Sequence, residues 1–142
     1  MAEELLRAAP ALSGLTGEEI SALERDARLV TFAAGQALIR EGECDDRVFI
    51  LAEGEVEIVK ALGAPDERRL AICGRGSLLG EMSLFGSGGH TASARALSPG
   101  RALELPRAQF DALLRRQPGL AYALMRVLSE RLDAGEHIAT RD

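Results

Sequence analysis

Between Leu29 and Leu105 the chain breaks into short apolar runs, and a glycine or proline stands between almost every pair of them. Leu29–Ala33 and Ala37–Arg40 are split by Gly35, and Val48–Leu51 precedes Gly54. Glu55–Val59 alternates polar and apolar, Arg69–Cys73 follows a Gly63-Ala64-Pro65-Asp66 loop, and Arg95–Leu97 is separated from Ala102–Leu105 by Pro99-Gly100. Strands this short, recurring about every ten residues with turn residues between them, fit a small barrel or a double-sheet roll. With four Phe and one Tyr in the chain, the interior of that roll is filled by aliphatic side chains.

Helices flank the roll. Thr16 followed by Glu19 is a capping box, and Ile20, Leu23 and Ala27 recur behind it at helical spacing, which predicts a helix over Thr16–Ala27. Leu5–Leu15 is interrupted by Pro10 and Gly14 and is read as a helical turn or two. Beyond Pro106, Phe110, Leu113 and Leu114 predict a short helix that Gln117-Pro118 closes, and a longer one starts near Gly119 and passes Ile138. Its apolar arc, from Leu120, Leu124, Val127, Ala134 and Ile138 with Leu128, Leu132 and Gly135 beside them, is wider than one packing partner requires. A symmetric partner helix accounts for the excess, since two-fold dimers dominate homo-oligomers. The alternative is that the whole arc lies on the roll. The expected organisation is one domain over 1–142, with a lead-in at 1–28, the roll at 29–105, a short helix at 106–117 and a long helix at 118–139.

One stretch within the roll carries distinctive chemistry. Gly76–Ala96 holds a single carboxylate, Glu81, directly after Gly80, and from Met82 to Ala94 there is no acidic residue, Lys or Arg. That window offers Gly86, Gly88 and Gly89, the hydroxyls of Ser83, Ser87, Thr91 and Ser93, and His90. Glycines permit close backbone approach, and unpaired backbone N–H groups without acidic neighbours suit an anion. Glu81 at the rim can accept from a sugar hydroxyl. The segment reads as a pocket for a phosphate joined to a ribose, against the plainer reading of a surface loop between two strands.

The rest of the composition excludes other classes. A net charge of −5 leaves no electrostatic footprint for nucleic acid. No apolar run reaches membrane-spanning length, and Met-Ala-Glu-Glu does not begin a secretory signal, so the expected compartment is the cytosol. Cys44 and Cys73 are isolated thiols that make neither a disulfide framework, a zinc site nor an iron–sulfur ligand set. The two histidines, His90 and His137, are too few for a metal-binding roll, and neither has a neighbouring nucleophile or Asp in sequence. No metal and no enzymatic activity are expected.

In order, helix, glycine-punctuated roll, cassette, short helix and long helix resemble the cyclic nucleotide-binding domain, the sensor module of Crp/Fnr-type regulators and of protein kinase A regulatory subunits. The resemblance runs from Leu12 to Leu132. It rests on Gly35 and the Ile39-Arg40-Glu41-Gly42-Glu43 turn, on Val48-Phe49-Ile50-Leu51 with Glu53-Gly54-Glu55-Val56, and on Leu79-Gly80-Glu81-Met82-Ser83-Leu84-Phe85. It implies a mostly β fold with flanking helices, a double-stranded β-helix jelly roll, binding cyclic AMP or cyclic GMP. The implied ligand residues are Gly80, Glu81, Met82, Ser83, His90, Thr91 and Ala92, with Glu81 on the ribose and Thr91 and Ala92 on the cyclic phosphate.

One departure matters. Where the family places Pro-Arg, this chain has Gly89-His90. Arginine supplies a permanent charge and a two-pronged donor, whereas histidine supplies one donor and ordinarily titrates at about 6.5. A charge-assisted hydrogen bond contributes roughly 1.5–3 kcal/mol, so the exchange is expected to weaken binding by about ten- to a hundredfold. Gly135 and Glu136 likewise stand where cyclic-AMP receptors place hydroxyls against the adenine, so the base stays open. After the long helix only Ala139–Asp142 remain, and no helix-turn-helix is expected there. Two readings follow: a stand-alone sensor that signals through its C-terminal helix to an unidentified effector protein, or a roll without its ligand that serves as a dimerising or docking module. Retention of Glu81 favours the first, because a carboxylate facing a dead pocket is a cost.

Overall fold

The structure, a computed structural model, describes residues 2–9, 12, 15–43, 47–80, 90 and 92–116. Among them the element order is α1 (Ala2–Ala8), α2 (Gly17–Asp26), β1 (Arg28–Phe32), β2 (Ala37–Ile39), β3 (Arg47–Glu53), β4 (Val56–Lys60), β5 (Arg68–Cys73), β6 (Leu78–Leu79), β7 (Ser93–Ala96), β8 (Gly100–Pro106) and α3 (Arg107–Arg116). The mostly β fold class with flanking helices is the observed one.

The strands form two four-stranded sheets, ordered β1-β8-β3-β6 and β2-β7-β4-β5, and every pairing is antiparallel. Side chains alternate faces along a strand. On β3 this sends Phe49 and Leu51 into the space between the sheets, where they meet Ile39, Val56, Leu79, Ala94 and Ala102. Val48, Ile50 and Ala52 point the other way, onto Leu5, Leu6, Leu12, Ile20, Leu23 and Leu113. β3 is thus buried on both faces, which is why Val48–Ala52 is apolar throughout rather than alternating.

The helices follow local chemistry. Thr16 Oγ1 accepts from the Glu19 N–H at 3.2 Å while Glu19 Oε1 accepts from the Thr16 N–H at 2.9 Å, closing the capping box at the start of α2. Buried Ile20 and Leu23 lie on its inner face. Gln109 of α3 reaches back to α2, donating to the Ala22 carbonyl at 3.3 Å and to the Asp26 carboxylate. The expected long helix over 118–139, with its wide apolar arc, lies outside the described residues.

Candidate ligand-binding site

The two ends of the cassette are described and they meet. β6 pairs with β3 through Phe49↔Leu79 and Ile50↔Leu78, and the chain leaves this short strand at Gly80. Gly80 has φ +89°, a conformation glycine adopts without the Cβ penalty. Space adds little to that demand: a side-chain carbon there would lie 3.3 Å from Ile39 Cδ1, 3.4 Å from His90 Cε1 and 3.5 Å from the Arg47 carbonyl oxygen. The segment that begins with a glycine therefore returns, at His90, to pass directly over that glycine.

His90, the residue expected to stand in for the family's arginine, is buried. Its backbone is tied to the β2–β3 turn on both sides: the His90 N–H donates to the Glu43 carbonyl at 3.0 Å, and its own carbonyl accepts from the Gly42 N–H at 2.8 Å. Ala92 follows, half-buried, and Ser93 opens β7 with its hydroxyl accepting from the Glu41 N–H at 2.9 Å. Of the expected ligand residues, Gly80, His90 and Ala92 fall at this end of the roll, while Glu81, Met82, Ser83 and Thr91 lie outside the described residues. The contribution of Glu41, Gly42, Glu43 and Ser93 was not legible as such. The turn is identifiable in sequence only as part of a family pattern, and nothing in one sequence says that it bonds to a segment some fifty residues on.

Glu41 extends the assembly to the β4–β5 turn. Its Oε1 accepts from the Ala61 N–H at 2.9 Å and its Oε2 lies 3.0 Å from Lys60 Nζ. The Ala61 N–H first, then the Lys60 ammonium, hold the Glu41 carboxyl below the usual carboxylate range. A cleft of about 420 Å³ lies between the two turns, walled by Arg40, Glu43, Ala61, Leu62, Ala64 and Ser93.

Behind β7, a charge network fixes the second sheet. Glu57 is buried, and its Oε1 accepts from Arg69 Nε at 3.0 Å while its Oε2 accepts from Arg95 Nε at 2.9 Å. Burial pushes the Glu57 carboxyl up, but the bonds from Arg95 and Arg69 outweigh it and leave the group below the usual range. Arg95 also reaches Glu67 at 3.4 Å. At the roll's other sheet, Glu104 lies 3.5 Å from both Arg28 and Arg47, and the Arg47 guanidinium stands 5.5 Å from the centre of the Phe49 ring. Among the described residues no cluster of three or more His, Cys, Asp or Glu is placed to hold a metal, and Cys73 is buried.

With this geometry in view, the comparisons with known proteins are direct. The family model of the cyclic nucleotide-binding domain matches residues 29–117. The chain belongs to this family. It is 33% identical over 132 residues to a CRP-like cAMP-activated global transcriptional regulator of Mycobacterium tuberculosis, covering 92% of this chain and 58% of that protein. It is 34% identical over 112 residues to isozyme 1 of the cGMP-dependent protein kinase of Drosophila melanogaster, covering 77% of this chain and 15% of the kinase. The crystal structure of the Thermus thermophilus catabolite activator protein superposes with a TM-score of 0.71 at 31% identity, covering 89% of this chain and 60% of that one. The chain thus spans less than two thirds of the length of each of these relatives. No helix among the described residues is long and apolar enough to cross a membrane.

Proposed function

We propose that this chain binds a cyclic nucleotide, cyclic AMP or cyclic GMP, in the cassette between Gly80 and His90, and acts as a regulatory module rather than an enzyme. The observation that carries the reading is that the His90 ring lies beside Gly80, where an added side-chain carbon would meet its Cε1 at 3.4 Å, with the His90 backbone secured on both sides by the β2–β3 turn. In this reading Gly80, Met82 and Ser83 contribute from the start of the cassette, and Glu81 accepts from the ribose hydroxyl. Thr91 and Ala92 bring a hydroxyl and a backbone N–H to the phosphate, and His90 donates to it. Family membership supports these roles, and relatives named for cyclic AMP and for cyclic GMP both match, so the base is left to experiment.

Residues 1–142 work as one unit in this proposal. Ligand binding shifts the position of the helix over 118–139, a population shift between two arrangements. The same helix pairs with its copy in a homodimer in the cytosol and passes the signal to an effector protein.

His90 gives the reading its distinctive prediction. A bound phosphate favours the imidazolium, so binding takes up a proton and affinity rises as pH falls. The charged residues of the neighbouring segments are Arg47 of β3, Arg40, Glu41 and Glu43 of the β2–β3 turn, and Glu81 of the cassette. Isothermal titration with cyclic AMP and cyclic GMP at pH 6 and pH 7.5, on wild type and His90→Arg, tests this. We expect wild type to bind more tightly at pH 6, and His90→Arg to bind about ten- to a hundredfold more tightly at pH 7.5 with little pH dependence. Binding by His90→Arg alone leaves an intact pocket without its key cation. Silence from both proteins replaces the sensor with a ligand-free dimerising or docking roll.

A further inference from the structure

Three consecutive residues of the β2–β3 turn reach the same short segment. Gly42 and Glu43 bond the two sides of the His90 backbone, at 2.8 and 3.0 Å, and the Glu41 N–H bonds the Ser93 hydroxyl at 2.9 Å. The turn therefore sets where His90 and Ser93 lie. Its own position needs an anchor, because Arg40–Glu43 is exposed or half-exposed throughout. Glu41 supplies one: its carboxylate crosses to the β4–β5 turn and takes the Ala61 N–H at 2.9 Å and Lys60 Nζ at 3.0 Å.

Ala61 is an unusual residue to bond. Among the described residues it is the one non-glycine with positive φ, at +58°. A side chain in this left-handed region is disfavoured and persists where surrounding contacts hold it. The N–H that Glu41 accepts belongs to that residue, so the carboxylate ties the β2–β3 turn to a β4–β5 turn that its own bonds already hold, from the Ala64 N–H to the Ala61 carbonyl at 3.0 Å and from the Gly63 N–H to Glu67 Oε1 at 2.9 Å. The clasp spans the cleft of about 420 Å³: Ala61, Leu62 and Ala64 form one wall, and Arg40, Glu43 and Ser93 form the other.

We propose that Glu41 is a positioning residue for the ligand site, clasping the β4–β5 turn so that the β2–β3 turn holds His90 and Ser93 in their binding geometry. For its effect on ligand the proposal rests on the nucleotide reading above. Glu41 touches no ligand in this scheme; it lowers the cost of ordering the residues that do.

The test combines two readouts on the full chain, amide hydrogen exchange without ligand and titration with cyclic AMP and cyclic GMP. Glu41→Ala is expected to speed exchange at the Gly42 and His90 amides and to raise Kd about tenfold. Glu41→Gln keeps an acceptor for the Ala61 N–H and should bind within about twofold of wild type. Thr16→Ala, which removes the α2 capping box, serves as a control that lowers stability without touching either turn. It should leave Kd unchanged. Wild-type exchange and Kd in Glu41→Ala overturn the proposal, as does an equal loss of affinity in Glu41→Ala and Thr16→Ala, which reduces Glu41 to general stability. A loss in Glu41→Gln as large as in Glu41→Ala overturns the clasp on Ala61. Should wild type bind neither nucleotide, the nucleotide reading fails by itself, and exchange at Gly42 and His90 still decides whether Glu41 holds the segment.

Discussion

A side-chain carbon at Gly100 would overlap the Glu53 carbonyl oxygen and fall 2.6 Å from Phe32 Cζ. Gly100 begins β8 and stands opposite Phe32 in the β1–β8 ladder, so neither neighbour can retreat without moving a strand. Gly100→Ala is therefore expected to destabilise the fold by about 1–3 kcal/mol, read as a lowered urea midpoint at constant slope. A midpoint unchanged from wild type would show that the strand ends yield freely. In sequence this glycine is legible as a turn signal after Pro99, but the close approach that forbids a side chain is not. Gly80 is similar. Its place at the opening of a phosphate cassette is readable from Gly80-Glu81, whereas its contact with His90 is a property of the closed roll. His90 itself could be read only as a departure from an arginine. Its burial depends on the β2–β3 turn folding over it, which no local pattern encodes.

Elements were recoverable where a local rule specifies them. The Thr16–Glu19 spacing predicts the start of α2 because the two reciprocal bonds it implies are both made, at 3.2 and 2.9 Å. Thr16→Ala removes a side-chain acceptor from an exposed helix end and should cost about 1 kcal/mol in urea unfolding. Thr16→Ser should recover most of that loss, and failure to do so would point to the methyl group rather than the cap. β3 was readable as an apolar run, and β4 by its alternation. β6 was not, since Leu78–Leu79 is two residues long and has no period to detect. It exists because Phe49 and Ile50 of β3 offer an open edge beside β8. The strand that delivers Gly80 to the site is thus created by tertiary pairing, and its absence from a pattern-based reading has that cause.

At the scale of the whole molecule the two sheets are stabilised differently. In the first, β3 is apolar on both faces, enclosed between the second sheet and a helical layer that buries Leu5, Leu6, Ile20 and Leu23. The second presents its outer face to water, with Ile72 48% exposed and the Glu57, Arg69, Arg95 and Glu67 network lying across β4, β5 and β7. This predicts a difference in acid. Glu41 and Glu57 both titrate below the ordinary carboxylate value of 4.5 in the folded chain, Glu41 through Ala61 and Lys60, and Glu57 because Arg95 and Arg69 outweigh its burial. A depressed folded pKa means that the unfolded chain binds protons first as pH falls. The stabilisation is complete above about pH 4.5 and is lost as pH drops through the folded values. Glu53, lowered by its bond from Arg101, belongs to the first sheet, but its side chain is half exposed at the sheet's edge and water screens the pair. Protonation therefore acts chiefly on the buried Glu57 of the second sheet and on the Glu41 clasp beside it, while β3 of the first sheet is held by apolar contacts that do not titrate. Native-state hydrogen exchange at pH 7 and near pH 4, with rates corrected for intrinsic pH dependence, should show protection falling in β4, β5 and β7 before β3 and β8. Glu57→Gln at pH 7 should reproduce much of that loss without acid. If β3 and β8 lose protection first, or all five strands together, the charge network is not what separates the stability of the two sheets.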